Sequence, residues 1–476
     1  MSPKVNSIFV LLLVLLAIFI YTLFVSTIEM DTLRCMGVFG IILLVLSGFT
    51  WHYNGNQLIS PYFFFLIALY IFSYGQSLMY AFDWISPRRD LIGFQGISIY
   101  QIYEAQKATL YMLGFFHLGA LCISHKTKGK NNISELASKE DEIQYNTMLL
   151  FTRRIGIFLF TVSCVPYFYI LISNMMFAMT YGYGALYAEE GAVGISQIGR
   201  YVGDYCVPSV ICLFIGFKDQ KRVRLIVYFI CSLIIVVTLL TGYRTYGVIL
   251  ALLLILLRHF VVKKISIKEF GILCIVALSF LSLLSLVGNM RTSKSRSIDD
   301  YISSNKNQNG AIEAIAEMGG SMFCLIKTQK IVPEREDYRY GKSYIYSFTT
   351  IIPNLGFWEM HPARKEANLG DWLTKELHLN YGTGYSMCAE AYINFGYMAW
   401  LMMFLLGMAF CKLFETSNLE SSRANIPMLV FSLILFWFCL KLPRNSFLSF
   451  VRSFVYYACP IYLYIKIMSN RYLAKY

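Results

Sequence analysis

Runs of apolar residues close to 20 in length recur along the chain, and a helix of about 20 residues is what crosses a hydrocarbon core about 30 Å thick. They predict about twelve spans: roughly 7–26, 35–50, 58–82, 108–124, 155–177, 201–217, 225–242, 245–262, 269–289, 387–411, 427–442 and 446–467. The first run is long and has no small-residue cleavage site, so it reads as an anchor rather than a removed leader. Most polar stretches between runs are short. The exception, 290–385, carries acidic and basic residues in near balance. Its apolar patches at 311–326 and 343–357 and its Trp-containing stretch at 357–372 predict short helices lying on or dipping into an interface. The chain then divides into 1–289 (nine spans), 290–386 (a large loop) and 387–476 (three spans and a tail). No internal repeat is evident, which disfavours transporter folds built from inverted halves.

Composition agrees with that pattern. Of the 476 residues 57% are hydrophobic and 14% charged, and mean hydropathy is +0.55. Soluble domains carry about 25% charged residues, so several water-soluble domains are excluded. The 35 Tyr and 6 Trp suit bilayer interfaces, where one end of the ring is wet.

The net charge of +13 bears on topology before it bears on nucleic acid. With the N-terminus inside, the inner segments hold 20 Lys and Arg and the short outer ones nine, with 12 more in the long loop. Both termini are therefore expected on the cytoplasmic side, with 290–385 outside. The twelve Cys form no C-x-x-C pair and the six His no H-E-x-x-H motif. No metal site, cofactor or nucleic-acid partner is expected, and no P-loop for ATP is present.

Outer arginines at membrane depth are the candidate chemistry. Arg200 starts a span, and Arg244 lies in the tight turn T-G-Y-R-T-Y. Arg291 ends a span, and Arg444 and Arg452 lie in the last hairpin, L-P-R-N-S-F-L-S-F-V-R. Ionisable groups at that depth mostly face a protein interior or a watery cavity. Converging guanidinium forks suit phosphate or pyrophosphate. An arginine at a helix end also snorkels to headgroups, so the position of each must be judged separately. Arg244 stands out because a two-span turn needs no charge. Glu390 sits at the outer mouth of an otherwise uncharged span. It suits orienting or deprotonating a sugar hydroxyl, or pairing with one of the arginines. Asp204 suits a base or a structural partner.

The segment Y-G-T-G-Y-S-M-C-A-E-A-Y-I-N-F-G-Y, with the span layout and the long loop before the last three spans, resembles the Wzy-type O-antigen polymerases. Gly384, Ser386, Glu390, Tyr392, Asn394, Phe395 and Gly396 match the family's G-x-S-x-x-x-E-x-Y-x-N-F-G segment. T-G-Y-R-T-Y-G resembles its G-x-R segment, and L-P-R-N-S its final hairpin. The R-(x10)-G loop signature of some relatives is not met by Arg291, Arg339 or Arg364, which leaves open which loop arginines hold substrate.

The resemblance implies an all-α, GT-C-like membrane glycosyltransferase in the bacterial inner membrane, working on its outer face, metal-independent and inverting. It implies undecaprenyl-pyrophosphate-linked oligosaccharide as donor and acceptor, and a chain-length regulator as a possible protein partner. On that reading Arg244, Arg291 and Arg444 bind pyrophosphate, with Arg200, Arg339 and Arg364 behind them. Glu390 or Asp204 handles the acceptor, and Tyr392 and Asn394 line the site. The alternative class is a lipid-linked oligosaccharide flippase or polysaccharide exporter.

Overall fold

The computed structural model describes residues 2–85, 96–124, 139–181, 197–241, 244–266, 268–273, 275, 310–352, 354, 356–379, 382–414 and 425–474. Every regular element among the described residues is helical.

Helix starts follow from local chemistry. α1 (Pro3–Phe24) opens with Pro behind Ser2, whose hydroxyl accepts from Val5 N. α2 (Met30–Tyr53) follows, and α3 (Pro61–Tyr80) repeats the device with Ser60 and Phe63 N. α4 (Ile99–Ile123) begins with a Ser98–Gln101 capping box. The first-turn N–H groups have no intrahelical partner, so a proline there loses nothing and a hydroxyl gains a bond.

α5 (Lys139–Tyr181) is the longest helix described, and α6 (Gln197–Gly203) and α7 (Cys206–Gly216) form one broken span after it. α8 (Lys221–Thr241) and α9 (Arg244–Leu257) make a hairpin, α9 loosening into a π turn at Arg258–Val262. The long loop contributes α10 (Gly310–Gly319), α11 (Met322–Ile331), α12 (Lys342–Ser347) and α13 (Leu369–Glu376). The chain then returns through α14 (Met387–Phe395), α15 (Ala399–Leu413), α16 (Ile426–Cys439), α17 (Phe447–Ser453) and α18 (Cys459–Leu473).

Among the described residues, ten stretches are helices long and apolar enough to cross a membrane: Pro3–Phe24, Met30–Tyr53, Pro61–Tyr80, Asp141–Tyr181, Ile198–Gly216, Lys221–Thr241, Thr245–Val262, Met387–Leu413, Ile426–Arg444 and Phe447–Leu473. The molecule is an all-α polytopic membrane protein. The expected span 108–124 is the second half of α4, which starts earlier, in a stretch read as loop; Lys107 and Glu104 pair there at 2.7 Å. The expected span 269–289 runs into 276–309, outside the described residues.

α3 and α16 form the centre of the bundle and are buried almost all round, whereas α1, α5 and α8 expose apolar faces. α4 crosses α15 at backbone contact. A Cβ on Gly119 would stand 2.0 Å from Phe404 O, and one on Gly407 1.9 Å from Phe116 O. Small residues permit such approaches between helices that gain little from burying apolar surface in lipid. The loop helices are wedged into the bundle. α10 packs on α3, with Gln76 Nε2 donating to Ala316 O at 2.9 Å, and α11 buries Met322, Cys324, Leu325 and Ile326.

Cross-chain contacts sort the loops into two ends. At the proximal end, where α1 begins, Lys4 Nζ donates to Cys122 O, Arg153 to Gly216 O, Lys218 to the Tyr145 hydroxyl, and His259 pairs with Gln57. At the distal end Arg34 bridges Asp31 and Asp83, and the loop helices meet the last hairpin.

Candidate functional site

α14 carries the distal site. Ser386 caps it, accepting from Ala389 N at 3.1 Å, and Gly396 ends it at φ +55°. A Cβ there would lie 2.7 Å from the Tyr338 ring, so glycine is required on both counts. The carbonyls freed at the helix end are taken by the long loop: Arg339 N donates to Ile393 O (2.9 Å) and Tyr340 N to Asn394 O (3.0 Å). Gly341 N adds a bond to Asn394 Oδ1 at 3.0 Å.

This pairing sets α12 against α14 and closes a buried polar network. Ser343 Oγ donates to Glu390 Oε1 at 2.6 Å, and Phe447 N, at the start of α17, donates to Glu390 Oε2 at 2.6 Å. Asn394 Nδ2 donates to Ser343 Oγ and to Glu390 O, both at 2.8 Å. Glu390 is 1% exposed and Asn394 and Ser343 0%. Three chain segments, each distant in sequence, thus converge on one carboxylate whose two oxygens are both occupied. Tyr344 packs between Phe395 and Phe447.

Arg339 lies beside this network, and its charge reaches Glu390. Its guanidinium donates to Glu366 O at 2.9 Å and lies over the Trp372 ring at 5.2 Å, while Trp372 Nε1 donates to the Glu336 carboxylate. Tyr392 is buried, but its ring borders those of Tyr338 and Tyr397. Tyr397 and nearby Tyr340 are 73% and 74% exposed, which leaves ring faces open beside the network.

A second corner lies where α6, α9, α16 and the α17–α18 junction meet. Asp204, between α6 and α7, is exposed and accepts at Oδ2 from the Tyr457 hydroxyl at 3.1 Å. Tyr205 donates to Tyr456 O and meets the Tyr457 ring edge-on. Lys441 Nζ lies 3.4 Å from the Tyr246 ring centroid and 4.8 Å from that of Trp437, and its charge reaches Asp204. The turn Leu442–Arg444 joins the two corners: Arg444 N donates to Lys441 O, Arg444 O accepts from Tyr385 N, and Phe447 follows.

The expected residues fall as follows. Glu390, Asn394, Tyr392 and Arg339 meet in the first corner. Asp204 lies in the second, with Arg200 one helical turn before it and exposed. Arg244 begins α9 two residues before Tyr246. Arg444 is exposed on the connecting turn, and Arg364 is exposed on a turn whose Ala363 and Ala367 pack on Leu448. Arg291 lies outside the described residues. Sequence reasoning did not single out Ser343 or Lys441. Lys441 carried a signal: it is a basic residue three positions before Arg444, directly after an uncharged helix.

Fold and site define a multi-pass helical membrane protein with arginines, a lysine and open tyrosine rings gathered at one end. The chain matches the model for O-antigen polysaccharide polymerase Wzy over residues 7–476, nearly its whole length, and belongs to that family. It is accordingly a glycosyltransferase-type polymerase whose substrate is a lipid-linked oligosaccharide in the membrane. No curated protein and no solved structure matches the chain.

Proposed function

We propose that this polymerase works on the outer face of the bacterial inner membrane. It moves the growing glycan from undecaprenyl pyrophosphate to the non-reducing end of one new undecaprenyl-pyrophosphate-linked repeat unit. One observation supports this above others: Arg200, Arg339, Arg364, Arg444 and the start of α9 at Arg244 all lie at the distal end. That end is opposite the one where Lys4, Arg153 and Lys218 are anchored. Under the positive-inside rule the proximal cations and both termini are cytoplasmic, and the rule supplies no reason for the distal ones. An anionic lipid-linked substrate does.

The acceptor hydroxyl oxygen attacks the anomeric carbon of the donor as the bond to the pyrophosphate oxygen breaks, with inversion at that carbon. Arg244 and Arg444, with Arg291, stabilise the charge that develops on the leaving pyrophosphate, so a GT-C-type, metal-independent reaction suffices. Asp204 takes the hydroxyl proton: it is exposed, and among the described residues only its Oδ2 is hydrogen-bonded, which leaves Oδ1 for the acceptor. Glu390, with both oxygens engaged inside the protein, positions α12 and α17, and through them Arg339 and Arg444. Tyr340 and Tyr397 present faces for sugar rings, and a chain-length regulator docks from outside the chain.

Deleting the gene in its host is the test. The expected surface glycan is a single repeat unit, restored to a ladder by the intact gene. Repeat units stalled inside would point to a flippase or exporter, and absence of any attached glycan to a ligase; either overturns the proposal.

A further inference from the structure

We propose that Lys441 is a direct contact for the substrate's pyrophosphate, held ready by the rings of Tyr246 and Trp437; this rests on the reading of the distal end given above. α16 is uncharged from Ile426 to Cys439, and Lys441 is the first ionisable group beyond it. Its side chain is half-buried. An ammonium carries three N–H donors and no acceptor, and a partly desolvated one needs an anion or a carbonyl to fill them. Among the described residues no carbonyl, hydroxyl or carboxylate accepts from Lys441. Its close contacts are two ring faces, 3.4 Å to the centroid of Tyr246 and 4.8 Å to that of Trp437.

Ring faces hold a cation in place without neutralising it. A carboxylate in their place would compete with any incoming phosphate. Asp204 is near enough for its charge to act on Lys441, yet its hydrogen bond is to Tyr457. The lysine is therefore positioned and still able to bind an anion.

The surroundings identify the anion. Arg444 follows on the next turn and is exposed, and its N donates to Lys441 O. Tyr246, one face of the cage, stands on the first turn of the helix that Arg244 opens. Two arginine-bearing elements thus flank one lysine at the mouth of an apolar helix. A single phosphate is matched by one fork, whereas a pyrophosphate with two linked anionic groups engages several cations, with lysine acting as a point charge.

Intact protein in phosphatidylcholine nanodiscs is titrated with farnesyl pyrophosphate, with farnesol as the uncharged control. Tryptophan emission is followed, and the contribution of Trp437 is isolated as the difference from W437F. The expected result is saturable binding of the pyrophosphate only, a change in Trp437 emission on binding, and affinity weaker by about tenfold or more in K441Q. K441R should retain most of that affinity. Affinity unchanged in K441Q but weakened in R444Q overturns the inference and leaves the pyrophosphate reading standing. So does an unresponsive Trp437 in intact protein that binds saturably, a result that needs no Lys441 variant to fold. Absence of saturable binding by the intact protein overturns both.

Discussion

Glu390 is a buried carboxylate with both oxygens engaged inside the protein, and on the proposed reading it holds the frame of the site rather than meeting substrate. Its oxygens accept from Ser343 Oγ and Phe447 N, each at 2.6 Å, and an unpaired buried donor costs about 1–3 kcal/mol. In E390Q the amide oxygen keeps the Phe447 contact and the NH2 turns to Ser343 Oγ. That variant should therefore retain measurable polymer. E390L leaves both donors unpaired; it should lose roughly 1–3 kcal/mol in thermal unfolding and lose the polymer with it. Glycan ladders and melting curves in detergent read this. An E390Q protein of unchanged stability that makes no polymer would place the carboxylate in the chemistry instead. Glu390, Asn394 and Tyr392 were legible in the sequence as a cluster because they share one short helix. Ser343 was not, because its approach depends on Arg339 and Tyr340 pairing with the end of that helix. Lys441 reads in sequence as an ordinary helix-end cation; the ring that distinguishes it, Tyr246, belongs to a helix far earlier in the chain.

At the scale of helices, apolar length located nearly every span, since lipid and protein interior make the same demand of a helix. For the same reason it could not say which helices lie at the centre. α1 and α3 are both plainly apolar, yet α1 is largely exposed and α3 largely buried. The early start of α4 was also missed, because Gln101, Glu104 and Lys107 give it a polar first half. What orders the centre is close approach. Gly407 lies against the carbonyl of Phe116, and α15 continues directly from α14, so a displaced α15 displaces Glu390 as well. G407A should cost about 1–3 kcal/mol, as overpacking does, with a lower unfolding temperature in detergent and shorter glycan. An unchanged unfolding temperature would contradict the crossing.

At the scale of the molecule, the excess of 13 positive charges resolves into two populations. Proximal cations such as Lys4, Arg153 and Lys218 are tied to backbone carbonyls and a tyrosine hydroxyl. Of the distal ones, Arg34 and Lys107 are paired with carboxylates, whereas Arg339, Lys441 and Arg444 lie at two corners joined by the turn Leu442–Arg444, where Glu390 is buried and Asp204 exposed. On the proposed reading, anion binding and proton transfer both belong to that distal end. The direct measurement is reconstitution: purified protein in nanodiscs is supplied with undecaprenyl-pyrophosphate-linked repeat unit in the presence of a metal chelator. The expected result is a polymer ladder with one undecaprenyl pyrophosphate released per new glycosidic bond, and almost none from the R244K protein at equal abundance. A ladder from R244K matching that of the intact protein, or bonds formed without release of undecaprenyl pyrophosphate, would contradict it.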